Sequence, residues 1–129
     1  MVLKGNWNYP TKILFGPGRS KELFKIFKEM KINKPFFVSD KNIIKLPIIK
    51  NILVDLNLDF RKNIFIDINS NPSEQNLLEG LEKYKSGNFD KIISIGGGSV
   101  IDVGKLISFM SSQVNNVWEF EDKNDNWKK

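Results

Sequence analysis

The residue types most suited to chemistry in this sequence form one short run, ISIGGGSVIDVGK, at residues 93–105. Gly96, Gly97 and Gly98 follow an apolar segment and lead into a second one, the pattern of a strand followed by a helix. A helix beginning there presents unpaired N–H groups and a partial positive charge, which suits a phosphate group. Glycine also admits positive φ and lets an anion approach the backbone closely. A tight turn seldom needs consecutive glycines, so the run favours a phosphate-binding loop over a simple turn.

The loop differs from both standard phosphate-binding motifs. A G-x-G-x-x-G pattern needs glycine where this sequence has Ile101, and the Gly-Lys-Ser/Thr ending of a P-loop is absent. Ser99 and Asp102 allow two interpretations. Ser-x-x-Asp at a helix start resembles a capping box, whereas an acid so close to a bound phosphate would instead face a hydroxyl or an uncharged part of the ligand. Both roles stay open, and Lys105 is expected to pair with Asp102.

Two further polar residues, Asp40 and Asn71, follow predicted strands. Asp40 is suited to cap the helix after it, or to accept hydrogen bonds from both hydroxyls of an adenosine ribose. Asn71 has a strong capping interpretation, with Pro72 as the first helical residue and Glu74 at the third position. The carboxyl ends of parallel strands share one edge of a sheet, so we expect both residues near the glycine run. Because Asp40 precedes the glycines, only a strand order other than the Rossmann order would bring it alongside them.

The elements that position these residues alternate between strands and helices. Apolar runs predict strands at residues 13–15, 36–40, 63–69 and 91–95. Helical spacing predicts helices at about residues 20–30, at 41–58 with a break at Pro47, from 71–74 to a stop at Gly87, and at 99–112. One face of the third helix carries four residues, Leu77, Leu78, Leu81 and Tyr84. The strands are too apolar for half-exposure, so the pattern predicts an α/β fold, a parallel sheet with helices on both faces.

Composition excludes several classes of function. The 129 residues include no histidine and no cysteine, so this chain cannot by itself form a Ser/His/Asp triad, a histidine or thiolate metal site, or a disulfide. The net charge of +5 comes from lysines interspersed with acidic residues and asparagine, typical of a solvated surface and not of a nucleic-acid interface. The opening MVLKGNWNYPTK lacks the apolar core of a signal peptide, and no run approaches the ~20 residues of a membrane span. We expect a cytoplasmic protein without nucleic-acid or membrane partners.

Four motifs together resemble the iron-containing, metal-dependent alcohol dehydrogenase family. They are, in chain order, YPTKILFGPG, FFVSDK, NSNPS and GGGSVIDVGK, and they span residue 9 to about residue 120. The resemblance implies the Rossmann-like NAD(P)-binding domain that forms the N-terminal part of a dehydroquinate-synthase-like two-domain fold. It also implies a set of residues that bind the dinucleotide. The glycine run with Ser99 and Val100 would bind the pyrophosphate, Asp40 would bind the adenosine ribose and favour NAD over NADP, and Asn71 and Asp102 would face the cleft.

The same resemblance predicts what this chain lacks. Family members are much longer, and their all-helical second domain supplies an aspartate and three histidines that hold Fe²⁺ or Zn²⁺ for hydride transfer. Residues 1–129 would then be a truncated dinucleotide-binding domain of an NAD-dependent enzyme that interconverts an alcohol and an aldehyde or ketone. No catalytic or metal-binding residue is expected in this chain, which would be inactive alone, and a homodimer stays open. The alternatives are a freestanding nucleotide- or phosphate-binding module, or part of a related glycerol dehydrogenase or sugar-phosphate cyclase.

Overall fold

The structure is a computed structural model that describes residues 10–56 and 58–121 and leaves out the Phe60 side chain. The chain divides into two compact units, Met1–Lys31 and Ile32–Lys129. In the first unit a 3-10 turn at Arg19–Glu22 leads into helix α1, Leu23–Glu29, close to the predicted helix. The Arg19 Nε donates to Glu22 Oε1 at 2.6 Å, and this bond lowers the pKa of the Glu22 carboxyl.

The strand predicted at residues 13–15 is wrong. The segment has no strand conformation, and Ile13 and Phe15 are 67% and 92% exposed. A strand is stabilised by hydrogen bonds to a neighbouring strand, and within the described residues the sheet consists of three other segments. The apolar character of the segment therefore did not suffice to make it a strand.

The second unit is built on a three-stranded parallel sheet. Its strands are β1 (Pro35–Val38), β2 (Ile64–Phe65) and β3 (Lys91–Ser94), in the spatial order β2-β1-β3. Strand β1 is central and buried at every position. The strand β3 lies at an edge of the described sheet and is only partly buried, contrary to the expectation that all strands are enclosed. The second strand is also much shorter than predicted.

Helices lie on both faces of this sheet, as predicted. On one face α4 (Glu74–Ser86) and α5 (Gly98–Met110) pack together, and α5 contacts β1 and β3. The buried cluster there comprises Phe36, Val38, Phe65, Leu77, Val100, Val103, Ile107 and Met110. The other face has a 3-10 turn at Ile43–Lys45 and helix α2, Pro47–Asp55, whose Leu53 shares a small cavity with Ile44 and Ile64. The predicted break at Pro47 is confirmed, since this proline is the first residue of α2.

The helices of the structure differ from the predicted helices in two details. A short helix α3, Phe60–Asn63, lies directly before β2, where the sequence predicted a strand from residue 63, and Asp59 caps it by accepting from the Arg61 N–H. Helix α4 ends at its predicted stop, Gly87, while its exposed Leu78 does not share the buried position of Leu77.

The N-cap of α4 is Ser73, not Asn71 as the sequence suggested. Ser73 Oγ accepts from the Asn76 N–H, and Asn76 Oδ1 accepts from the Ser73 N–H at 3.1 Å, which completes a capping box. The buried Asn76 also donates through Nδ2 to the Asp67 carbonyl at 2.8 Å, so the box joins α4 to the segment after β2.

We expect Ser73→Ala to lower the free energy of unfolding by about 1 kcal/mol, because it removes one acceptor of the capping box. Ser86→Ala is the matched control, since Ser86 Oγ donates to the Lys83 carbonyl at the exposed end of the same helix. Urea denaturation of both variants measures the difference. Equal stabilities would show that the box does not hold the start of α4.

Candidate functional site

The strand order places the predicted site residues on one edge of the sheet. Because β1 lies between β2 and β3, Asp40 after β1 and the glycine run after β3 follow neighbouring strands. The helices that follow these two strands lie on opposite faces of the sheet, α2 after β1 and α5 after β3. Open parallel sheets bind ligands at such a switch point. The fully buried Ser39, which follows β1, joins the ends of all three strands by hydrogen bonds. Its Oγ donates to the Ile95 carbonyl after β3 at 2.7 Å, and its N–H donates to the Phe65 carbonyl of β2 at 2.9 Å.

A cleft of about 500 Å³ opens at this edge. Its walls come from the segments that follow all three strands, and its lining consists of Asp40, Lys41, Asn42, Ile68, Asn69, Ser70, Gly97, Ser99 and Val100. The volume is in the range of small-molecule sites. Four residues predicted from the sequence, Asp40, Gly97, Ser99 and Val100, thus share one cleft, and "the cleft" below means this set of lining residues.

The three glycines before and at the start of α5 have different structural roles. None of them has positive φ, so the backbone conformation expected from the sequence does not explain the run. A Cβ on Gly96 would lie 2.7 Å from the Val100 Cβ, so Gly96 is required by packing. A Cβ on Gly97 or Gly98 would meet no atom within 4 Å. Neither packing nor backbone conformation requires glycine at these two positions. Because they have no side chains, the space at the start of α5 stays open.

The start of α5 has no side-chain cap and contributes Gly97, Ser99 and Val100 to the cleft. Gly97 is the N-cap with no side-chain cap, and Gly98, Ser99 and Val100 are the first helical residues. The first N–H groups of a helix have no acceptor within the helix, and its dipole adds positive potential. The capping-box interpretation of Ser99 is wrong. Its Oγ donates to the Ser70 carbonyl at 2.7 Å instead, which joins α5 to the segment after β2.

Asp40 lines the same cleft as Gly97 and has a structural role as well. Its Oδ1 accepts from the N–H groups of Asn42 and Ile43, at 2.8 and 3.0 Å. The formal N-cap of the following 3-10 turn is Asn42, so Asp40 caps this turn from two residues ahead. Both bonds go to Oδ1, and the carboxylate has a second oxygen with which to accept from a ligand.

Lys41 is a cleft residue that the sequence analysis did not identify. Its Nζ lies 2.7 Å from Asp67 Oδ1, in an ion pair whose side chains are 66% and 59% exposed. It follows Asp40 directly, whereas Asp67 comes after β2, so the pair crosses from one strand end to the next. A signal was present in the sequence, since Lys41 belongs to the FFVSDK motif, but its partner could not be predicted from local spacing.

Four predicted residues lie outside the cleft lining, namely Gly96 and Gly98 on either side of Gly97, and Asn71 and Asp102. Asp102 lines a neighbouring cavity of about 210 Å³ together with Pro72, Ser73, Glu74, Leu77, Val103, Leu106, Val117 and Trp118. Its ion pair with Lys105, at 3.8 Å, is confirmed. Asn71 is exposed and lies in the chain between Ser70, which lines the cleft, and Pro72, which lines the neighbouring cavity.

The part of the chain that the structure describes holds neither a metal cluster nor a membrane-spanning helix. Within residues 10–56 and 58–121, no three His, Cys, Asp or Glu side chains come close enough together to hold a metal ion. In the same part of the chain no helix has both the length and the apolarity needed to cross a membrane. The described residues therefore do not fit a resident iron or zinc ion, while the glycine end of the cleft does fit an anionic ligand.

Comparisons with solved structures support the fold. The chain is similar to sulfoacetaldehyde reductase from Bifidobacterium kashiwanohense, solved in complex with NAD⁺, with a TM-score of 0.78 and 22% identity. The match covers 92% of this chain and 31% of that one. At this identity the likeness shows the fold, a Rossmann-like parallel sheet with helices.

Comparisons with curated proteins give the same family. The chain is 30% identical to alcohol dehydrogenase 4 of Schizosaccharomyces pombe over 115 residues, 87% of this chain and 27% of that protein. It is 29% identical to mitochondrial hydroxyacid-oxoacid transhydrogenase of Bos taurus over 105 residues, 79% of this chain and 22% of that protein. The chain thus spans about a quarter of the length of these relatives. The sequence model described as iron-containing alcohol dehydrogenase matches residues 10–129. The chain therefore belongs to the iron-containing alcohol dehydrogenase family.

Proposed function

We propose that this chain is the NAD-binding part of an enzyme that interconverts an alcohol and an aldehyde or ketone by metal-assisted hydride transfer. The observation that carries the proposal is the pair of open glycines, Gly97 and Gly98, at the start of α5, together with the cleft that Gly97 shares with Asp40. Membership of an oxidoreductase family supports it. So does the NAD⁺ bound to a protein of the same fold.

The two ends of the cleft have complementary chemistry for a dinucleotide. The backbone N–H groups at the start of α5 would donate to the pyrophosphate, and the missing side chains at positions 97 and 98 would let it approach. Asp40 would accept hydrogen bonds from the ribose hydroxyls, and its charge would repel the 2′-phosphate of NADP. Asn71 and Asp102 would contact parts of the cofactor that extend beyond the cleft.

The metal and the reacting part of the substrate would be held by residues outside this chain. Three observations support this proposal. The chain matches only 22% of the length of the Bos taurus relative, the sequence contains no histidine, and the described residues form no metal cluster. When bound, such a metal would polarise the substrate oxygen. The substrate would be a small alcohol or aldehyde. The homodimer stays a prediction. The cytoplasmic location also stays a prediction, and one relative is named as a mitochondrial protein.

We expect Asp40→Asn to weaken NAD binding about tenfold and leave NADP binding nearly unchanged, so that the preference for NAD is lost. Asparagine keeps an oxygen that can cap the turn but loses the charge, and a hydrogen bond to a charged acceptor contributes about 1.5–3 kcal/mol. For NADP, the loss of that bond is offset by the loss of charge repulsion with the 2′-phosphate, about 1.5–2 kcal/mol for its charge of roughly −1.5 to −2 at about 4 Å in water. Isothermal titration calorimetry with both dinucleotides measures the two dissociation constants.

Asp59→Asn is the matched control for this substitution. Asp59 also caps a helix through Oδ1, and it lies before β2, whereas the cleft lies beyond the opposite ends of the strands. The control should bind both dinucleotides as the wild type does. If Asp40→Asn keeps the wild-type ratio of the two constants, Asp40 does not select the cofactor. If the wild-type chain binds neither dinucleotide, the proposed function itself is wrong.

A further inference from the structure

The ion pair between Lys41 and Asp67 stands at the ribose end of the proposed site. Lys41 follows Asp40 and lines the cleft with it, and among the described residues of the cleft lining Lys41 is the one cation. Its Nζ lies 2.7 Å from Asp67 Oδ1. Lys41, which is next to Asp40 in the sequence, is thus already paired with the carboxylate of Asp67.

We propose that the Lys41–Asp67 ion pair is a second determinant of the preference for NAD over NADP. The inference rests on the proposed function, because it assumes that Asp40 marks the position of the adenosine ribose. A 2′-phosphate carries between one and two negative charges and binds best where a cation is available. Asp67 neutralises the cation that could serve it. Asp40 and Asp67 together then outweigh Lys41, which leaves this end of the cleft with a net charge of about −1.

A single substitution at Asp67 should remove the ion pair and leave Lys41 without that partner. Both side chains are more than half exposed, and ion pairs of this kind contribute little to stability. The backbone of Asp67 is held independently of its carboxylate, since its carbonyl accepts from Asn76 Nδ2 at 2.8 Å. Replacing the carboxylate by an amide of the same size should therefore leave the fold unchanged and free Lys41 to turn toward a ligand.

We expect Asp67→Asn to tighten NADP binding relative to NAD binding by about three- to tenfold, the effect of removing one nearby charge at an exposed site. The dissociation constants of NAD and NADP are measured by calorimetry on the whole chain, wild type and variant, at one low salt concentration. The gain should shrink as salt is added, because exposed charges are screened. Far-UV circular dichroism checks that the variant is folded.

Two further variants identify the lysine as the cause. Lys41→Gln alone should weaken NADP relative to NAD below the wild-type ratio, because two carboxylates then lack their cation. The double variant Lys41→Gln with Asp67→Asn keeps the wild-type net charge without the lysine and should return to the wild-type ratio. Asp59→Asn is the charge-matched control, since it removes the acid of another exposed pair, Lys62–Asp59 at 4.0 Å, and should change nothing.

The outcomes separate this inference from the proposed function. If the wild type binds NAD and Asp67→Asn leaves the ratio unchanged, the inference is overturned and the proposed function stands. If the double variant shows the same gain as Asp67→Asn, the gain does not come from Lys41 and the inference is overturned as well. Failure of the wild type to bind either dinucleotide overturns both.

Discussion

Replacement of Gly97 by threonine is expected to weaken NAD binding at least about tenfold, equivalent to about 1.4 kcal/mol, without lowering the stability of the chain. Gly97 has φ −77° and ψ −172°, which a threonine adopts without strain. Threonine and glycine are similarly good N-cap residues, so the start of α5 should hold. The new side chain would meet no protein atom nearby, and it would occupy the space where we propose the pyrophosphate binds.

Gly96→Ala is the control that separates the two kinds of glycine in the run. Its Cβ would come within 2.7 Å of the buried Val100 side chain, so this variant should be less stable and bind less well for that reason. Thermal unfolding and calorimetric titration are compared for both variants. Wild-type affinity in a folded Gly97→Thr protein would show that no ligand approaches the backbone there.

Gly104→Val has the largest expected effect on stability, a loss of at least about 2 kcal/mol. Gly104 is buried on the face of α5 that packs against β3, and a Cβ there would overlap Ser94 Oγ and lie 3.2 Å from the Ser94 Cβ. Valine adds two more carbons at this helix–strand contact. A typical domain is stable by only about 5–15 kcal/mol, so this is a large share of the total.

The same substitution should also impair the cleft. Moving α5 away from β3 displaces its first turn, which carries Ser99 and the bond to the Ser70 carbonyl. Ser108→Val is the control, because Ser108 lies on the exposed side of the same helix and its substitution should change stability by less than about 0.5 kcal/mol. Urea denaturation measures both. If Gly104→Val is as stable as Ser108→Val, α5 does not depend on its close approach to β3.

Much of the fold could be predicted from local patterns. The alternation of apolar runs and amphipathic segments predicted the three strands of the sheet, and Pro47 and Gly87 marked helix ends, because these residues restrict the backbone wherever they occur. Prediction failed where a distant partner decided the outcome. The apolar segment at residues 13–15 is not a strand. Ser73 rather than Asn71 caps α4, since Asn76 returns the hydrogen bond and is buried against the segment after β2.

The sequence by itself determined the parallel α/β class, the family, and the residue types available at each strand end. Only the tertiary structure decided which of those ends meet. The order β2-β1-β3 brings Asp40 beside a glycine run that comes more than fifty residues later, and no local pattern specifies such a neighbour. It also decided that Gly96 serves packing while Gly97 and Gly98 leave space, and that Lys41 pairs with Asp67. The physical reason is that periodicity and capping act over a few residues, whereas a cleft is made by crossover connections that join distant segments.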